Sequence, residues 1–340
     1  MLAGFHAFII SISSVPLFGI KIFAVLSCVL LLIRLYMISF FSNGTSYYLL
    51  GLILIVLLAF YFNQQPEKLR IIFYIFIASI FIFAPSHMFN QTHWIAISWI
   101  HILFFLISII SIYIFGDDFF PKVIYGESRH EVAENGIVAF RASGLFSEPS
   151  TLGSHMLFMY VLIEMKGLKK NILATKILIL SILATISFAS FIMLCILFVR
   201  LFKDKKTYKT FLTILFFLVV IFGILFPFFE NKIIAYNSLG LENVERFKAI
   251  IYIYNYSETW FSGLPSEMLV DLVVYDLGWF FSTFIIFGIL GLPVAFAPFL
   301  VLPAGASYLL IFLTKLSFTN PICWLLIGQA MHRKKDQKIV

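Results

Sequence analysis

Long apolar stretches separated by short polar turns follow one another along most of this 340-residue chain. Apolar runs of roughly 18 residues or more are typical of helices that cross a membrane. The pattern predicts a succession of such helices, each uncertain at its ends by several residues. They lie at about 2–19, 21–42, 46–62, 71–86, 94–116, 151–167, 171–186, 187–202, 209–229, 277–297, 299–316 and 319–331.

Ionisable side chains are concentrated in two windows, which we call the first loop (117–150) and the second loop (230–276). Together they hold 13 of the 17 carboxylates of the chain. Basic clusters at 166–170, 200–206 and 332–338 mark the cytoplasmic side, because lysine and arginine favour that side of a membrane. Counting the apolar stretches between these clusters puts both loops on the exterior side, where we expect them to form an active site.

Composition agrees with this pattern, since 61% of the residues are hydrophobic and only 12% are charged. Soluble domains carry about 25% charged residues, so this chain could not cover a globular surface with polar groups. We therefore predict an all-α, polytopic membrane bundle of about 10–12 transmembrane helices, forming one domain over residues 1–340. The net charge of +7 comes from lysines at helix ends and does not indicate nucleic-acid binding.

The most specific local string is FRASGLFSEPS at 140–150, which ends the first loop and leads into an apolar helix. Glu148, Pro149 and Ser150 have the chemistry of a helix start, and a helix N-terminus favours an anion. The planar guanidinium group of Arg141 suits the binding of phosphate oxygens in pairs. Alternatively, Arg141 could extend to lipid headgroups and form an ion pair with Glu148.

Several other side chains could contact a substrate, each with an ordinary alternative. Arg129 and His130 could touch a sugar or belong to a solvated segment, and His155 could reach a headgroup or be hydrogen-bonded within the membrane. Tyr252 could stack on a sugar or lie in an interfacial aromatic belt. The three cysteines have no paired spacing, and the histidines at 87, 93 and 101 are too irregular for a metal site.

The ordered set of strings resembles the Wzy-type bacterial polysaccharide polymerases, which belong with the O-antigen ligases in one superfamily. The resemblance covers 117–331, and position 276 departs from ligase-like members, which often carry His or Asn where this chain has Asp. The similar segments are R-x-S-G-L-F-x-E-P-S at 141–150, TISFAS at 185–190, RFKAIIY at 246–252, SGLP at 262–265, DLGW at 276–279, GILG at 288–291 and NPICW at 320–324.

This resemblance implies a glycosyltransferase-C-like fold in the bacterial cytoplasmic membrane. It also implies a reaction at the exterior face without metal or other cofactor, in which polyprenyl-diphosphate-linked oligosaccharides serve as donor and acceptor. A flippase and a chain-length regulator would be partners. For the diphosphate we expect Arg141 and Arg246, with Lys248, because fixed cations stabilise charge that develops on a leaving group. We expect Glu148 to act as the base for the acceptor hydroxyl, or to orient it, with Asp276 and Glu245 as the next candidates.

Two other functions stay open on the sequence. A ligase would move finished glycan to another lipid or protein acceptor. A transporter or flippase would place polar residues and broken helices near the middle of the membrane, whereas the charges here are concentrated in the exterior loops.

Overall fold

The computed structural model of the chain describes residues 2–15, 21–37, 66–126, 131–134, 137–140, 142–165, 245–265, 278–301 and 319–336. Helices dominate these residues, as the hydropathy pattern predicts. The α-helices are α1 (Leu2–Ser11), α2 (Ile22–Met37), α3 (Pro66–Ser79), α4 (Gln91–Phe115), α5 (Phe119–Tyr125), α6 (Pro149–Met165), α7 (Glu245–Asn255), α8 (Gly278–Phe287), α9 (Leu292–Val301) and α10 (Pro321–Asp336).

The longest of these helices, α4, shows why the apolar runs become helices. Its 25 residues contain no Gly or Pro, and the chain leaves it through Gly116 at a positive φ of 70°. A left-handed residue after the last turn is a common helix stop that glycine adopts without a steric penalty. The apolar sequence therefore continues as helix until the polar first loop begins.

The helices run in two opposed directions, which brings several N-termini to one end. Ser13, just after α1, donates a hydrogen bond to Asn320, just before α10. From the middle of α1, His6 is hydrogen-bonded to Arg34 in the last turn of α2. These contacts, with those of Lys21 and His155 described below, place the N-termini of α2, α6 and α10 beside the C-terminus of α1, and α3 begins at the same end. We call this the loop end, because the first loop packs there.

The first loop contains a short antiparallel hairpin, β1 (Glu131–Glu134) and β2 (Ile137–Phe140), in which Glu131 pairs with Phe140. The all-α expectation holds for the apolar stretches that the structure describes, and this hairpin is an addition within the loop. The strands read EVAE and IVAF, and four residues each are too few for a strand signal to stand out in the sequence.

The apolar stretch at 277–297, expected to be one straight crossing, folds back on itself. Trp279 Nε1 donates to the carbonyl of Val294 over 2.9 Å, whereas a continuous helix would separate the two residues by about 22 Å. Gly288, at a φ of 59°, begins the 3-10 turn Gly288–Gly291 that joins α8 to α9. We call α8, this turn and α9 the folded-back hairpin.

Glycine permits the close approaches in this hairpin and in the core. A Cβ on Gly291 would lie 2.8 Å from the Thr283 carbonyl oxygen, so the turn packs directly on the backbone of α8. A Cβ on Gly328 of α10 would lie 2.3 Å from the carbonyl oxygen of Ile82, in the 3-10 turn after α3. The large buried indoles of Trp279 and Trp324, with centroids 5.0 Å apart, join the hairpin to α10.

Two described stretches, Gln91–Phe115 and Gly278–Phe296, are long and apolar enough to cross a membrane by length and composition. This weakly supports the expected membrane association. Because the second stretch folds as a hairpin, Gln91–Phe115 is the one of these two candidates that forms a single straight helix. Many of the other predicted crossings, among them 46–62 and 171–229, lie outside those residues.

The tip of the folded-back hairpin yields a stability prediction. Gly288→Ala would force a side chain into the left-handed region and set its Cβ 2.3 Å from the Trp260 carbonyl oxygen. We expect it to lower the free energy of unfolding by about 3 kcal/mol or more, because backbone strain and overlap add. Gly126→Ala is the matched control, since its φ is 78° and its Cβ would meet nothing within 4 Å.

Thermal unfolding of the two variants in detergent, followed by tryptophan fluorescence, measures both costs. Gly126→Ala should lose only about 1–2 kcal/mol, the cost of the left-handed backbone. Equal losses for the two variants would contradict the close contact at the hairpin tip.

Candidate functional site

The buried carboxylate of Asp118 joins the start of the first loop to its end. Its Oδ2 accepts hydrogen bonds from the backbone N–H and the hydroxyl of Ser143, at 3.0 and 3.1 Å. The next residue, Gly144, has a φ of 60° and lies against the backbone of α4, where a Cβ would be 3.6 Å from Phe105 N. Residues 142–144 of the motif therefore form a turn that packs on α4.

Phe146 of the same motif lies in the core, where its ring packs between two buried histidines. Its centroid lies 5.6 Å from that of His101 on α4 and 4.2 Å from that of His155 on α6, and both pairs are stacked. Tyr125 supports the same segment by donating from its hydroxyl to the Leu145 carbonyl at 3.4 Å. Burial raises the pKa of Tyr125, so the phenol keeps the proton that it donates.

Beneath Phe146 lies a buried hydrogen-bond network centred on Asn320. Its Oδ1 accepts from the N–H of Ile322 and from the Ser13 hydroxyl, at 3.1 and 3.3 Å. Its Nδ2 can then only donate, and it lies 3.0 Å from His155 Nε2. His155 Nδ1 consequently carries a hydrogen and donates to the Thr151 carbonyl at 2.9 Å.

The network reaches the other helix ends through two further contacts. Ser14 Oγ lies 3.0 Å from the same His155 Nε2. The ammonium group of Lys21, which precedes α2, donates to the hydroxyl of Thr319 over 2.8 Å. We call this set the polar junction; it consists of Ser13, Ser14, Lys21, His155, Thr319 and Asn320.

A second buried histidine lies at the edge of the junction. His101 Nε2 is 2.9 Å from Ser11 Oγ, whose hydrogen goes to the Phe8 carbonyl. The histidine therefore donates through Nε2, which leaves Nδ1 as an acceptor. Among the described residues, that Nδ1 has no hydrogen-bond partner.

The second loop meets the same end of the bundle through α3. Lys68, buried in the first turn of α3, donates to the carbonyl of Ser262 over 3.1 Å. The neighbouring backbone is tied to the folded-back hairpin, because the Leu264 N–H donates to the Ile285 carbonyl at 2.8 Å. Described parts of both loops thus lie at the loop end.

The residues expected at the site fall into different surroundings. Glu148 ends the first loop just before α6 and accepts a hydrogen bond from Ser150 Oγ at 3.1 Å. His155, expected as a sugar contact, is fully buried in the polar junction. Lys248 is exposed on α7, where Tyr252 stacks on Tyr256 with centroids 4.3 Å apart.

Other expected site residues are described only in part or not at all. Glu245 begins α7 and Arg246 follows it, and for both the structure describes the backbone. Arg129, His130, Arg141 and Asp276 lie outside the described residues. Their roles remain predictions.

Sequence reasoning missed Asp118, Lys21 and Asn320. Asp118 was one loop carboxylate among several, and only its contact with Ser143 distinguishes it. A signal existed for Asn320, because Asn before Pro is typical of a helix start. Lys21 stands alone in an apolar region, which is itself a hint of function in a membrane segment.

Comparison with models of protein families, with curated proteins and with solved structures finds no match. Within the described residues, no group of three or more His, Cys, Asp or Glu side chains could hold a metal ion.

The hydrogen bonds between Asp118 and Ser143 predict that the first loop opens more often when Asp118 is replaced. Asp118→Ala would leave the buried N–H of Ser143 without its acceptor, which costs about 1–3 kcal/mol. We expect trypsin to cleave after Arg129 and Arg141 about tenfold or more faster, because local opening becomes more populated.

Asp117→Ala is the matched control for this experiment. That neighbouring carboxylate pairs with exposed Lys122, and exposed ion pairs contribute little. Cleavage at the same rate in both variants, measured on the purified protein by mass spectrometry, would show that Asp118 does not hold the loop.

Proposed function

We propose that this chain is a glycosyltransferase of the bacterial cytoplasmic membrane that polymerises lipid-linked oligosaccharide repeat units. It would be a polytopic bundle of glycosyltransferase-C-like arrangement that transfers a polyprenyl-diphosphate-linked glycan onto the next lipid-linked unit at the exterior face. The product would be an O-antigen of lipopolysaccharide, a capsule or an exopolysaccharide, and no metal or other cofactor takes part in the proposed reaction.

One observation carries the proposal beyond the resemblance. Within the R-x-S-G-L-F-x-E-P-S segment, from which the resemblance mainly comes, Phe146 stacks on His155 of a buried polar junction at the end of otherwise apolar helices. Ser143 of the same segment is held by the buried carboxylate of Asp118. Buried polar networks are costly unless fully satisfied, so such a network in an apolar bundle supports a functional role for this end.

The proposed chemistry assigns roles to the loop residues. A hydroxyl of the acceptor sugar attacks the anomeric carbon of the donor, the bond to the diphosphate oxygen breaks, and Glu148 takes the hydroxyl proton. Arg141 and Arg246, supported by Lys248, stabilise the leaving diphosphate. Each arginine would contribute on the order of 2–4 kcal/mol, by analogy with the loss of one oxyanion donor.

A second candidate, a transporter of a lipid-linked anion, is favoured by one specific observation. The folded-back hairpin and the convergence of helix N-termini resemble the discontinuous helices with which transporters bind anionic substrates near the middle of the membrane. A transporter would move the lipid-linked repeat unit across the membrane without joining it to another.

The deciding experiment complements a knockout of this gene with Arg141→Ala, Arg246→Ala and Glu148→Gln, and sizes the lipid-linked glycans on a gel. A polymerase requires that each variant yield single-repeat material instead of a ladder, at unchanged protein level. Loss of a transporter would instead leave lipid-linked repeats at the cytoplasmic face, where an exterior glycosidase added to intact spheroplasts cannot reach them.

Two substitutions in the first loop serve as matched controls. Lys122→Ala removes an exposed cation and Asp117→Asn removes its partner, and both should retain the ladder. A normal ladder from all three test variants would refute the proposed active site.

A further inference from the structure

Two buried oxygen atoms at the base of the first loop have no hydrogen-bond partner among the described residues. They are Ser108 Oγ, on the buried face of α4, and Asp118 Oδ1, immediately before α5. Both side chains are fully buried. Polar atoms buried in native proteins almost always have a partner, so a group that binds these two oxygens is expected.

The hydrogen bonds of Ser111 bring Asp118 to α4. The Ser111 hydroxyl donates to the carbonyl of Asp117 and accepts from the backbone N–H of Phe119. The residues on both sides of Asp118 are thus held at Ser111. This serine lies one turn after Ser108 on the same side of the helix.

The end of the first loop contacts α4 on the other side of Ser108. Ser143 donates twice to Asp118 Oδ2, and the next residue, Gly144, lies against the backbone of Phe105. Phe105 precedes Ser108 by one turn, so Ser108 lies between the two levels of α4 that the loop contacts. The free oxygens of Ser108 and Asp118 therefore border the same space, yet they are not hydrogen-bonded to each other.

The carboxylate of Asp118 also lacks a balancing charge. Among the described residues no cation pairs with it, and the ion pair that they contain joins Lys122 to Asp117. A buried charge is costly unless it is paired. A water molecule would give both oxygens a partner but would leave the charge unbalanced, whereas a cation does both.

The two oxygens also indicate the class of cation. Carboxylate and hydroxyl oxygens are hard ligands, which suit alkali and alkaline-earth ions better than soft transition metals. One carboxylate is balanced by a single positive charge, which favours an alkali ion over a divalent one.

We propose that a sodium ion binds between Asp118 Oδ1 and Ser108 Oγ, with water completing its coordination. The ion connects the start of the first loop to α4 and so keeps the loop closed on the bundle. It takes no part in glycan transfer, and the site does not rest on the proposed function.

Proteolysis of the full chain in detergent measures the effect of the ion on the first loop. Trypsin is added in sodium chloride or in the same concentration of N-methylglucamine chloride, whose bulky cation cannot enter a buried site. We expect about 150 mM sodium to slow cleavage after Arg129 and Arg141 about tenfold, as for a dissociation constant of about 15 mM. The reason is that an ion bound only to the closed loop lowers the population of the open loop.

Two variants test the two ligands separately. Asp118→Asn removes the charge but keeps an oxygen that can accept from Ser143, so its cleavage rate should be the same in both salts. Ser108→Ala removes the hydroxyl ligand and leaves the bonds between Asp118 and Ser143 in place. A tenfold weaker affinity in this variant would leave about twofold protection by sodium.

Matched controls come from the same helix and the same loop. Ser98→Ala removes another buried hydroxyl of α4, one that already donates to the Trp94 carbonyl over 2.8 Å. Asp117→Asn removes the neighbouring carboxylate, which pairs with Lys122. Both controls should keep the tenfold protection, and size-exclusion profiles of each variant report folding.

The outcomes decide between a cation and a water molecule. Equal cleavage of the unmodified chain in the two salts would overturn the sodium site and indicate a buried water. Tenfold protection retained in Ser108→Ala would also overturn it, even if Asp118→Asn fails to fold. Protection that is lost in Asp118→Asn and reduced in Ser108→Ala would support the site, whether or not the chain makes a glycan ladder.

Discussion

The arrangement of the helices depends on the hydrogen bonds made by the side-chain amide of Asn320. It accepts from the N–H of Ile322 at the start of α10, accepts from Ser13 after α1 and donates to His155 on α6. A single such bond contributes only about 0.5–1.5 kcal/mol, but a buried polar group left without a partner costs about 1–3 kcal/mol. Apolar helices can slide along one another at little cost, so these directional bonds fix which turns face each other.

The first loop is joined to this arrangement through Phe146, and Asp118 joins the start of the loop to its end. The ring of Phe146 covers His155, while the carboxylate of Asp118 holds the turn two residues after Arg141. Lys68 makes a comparable link to the second loop through the Ser262 carbonyl. Charged and polar side chains at this end thus work mainly as anchors, and they give both loops a fixed base from which other residues can act.

The sequence predicted the helices well where an apolar run coincides with one straight helix, as for α4 and α6. It did not predict the folded-back hairpin, because hydropathy measures how apolar a stretch is and not whether its direction reverses. The signal was Gly288 and Gly291, which permit a positive φ and close contact, and it is weak without a structure. The site shows the same limit: Ser13 and Asn320 are 307 residues apart, and no local pattern relates them. Glu148 and His155 were recognised as candidates, whereas Lys21 and Asp118 gain meaning only from their neighbours.

The folded-back hairpin also changes how the topology of the chain must be counted. A segment that turns round at Gly288 need not cross from one side to the other, although its composition alone would score it as one passage. Each arm of about ten residues is roughly 15 Å long, half the thickness of the hydrocarbon layer. An even number of passages can therefore be read as odd from hydropathy, and the compartment assigned to every later residue would be inverted.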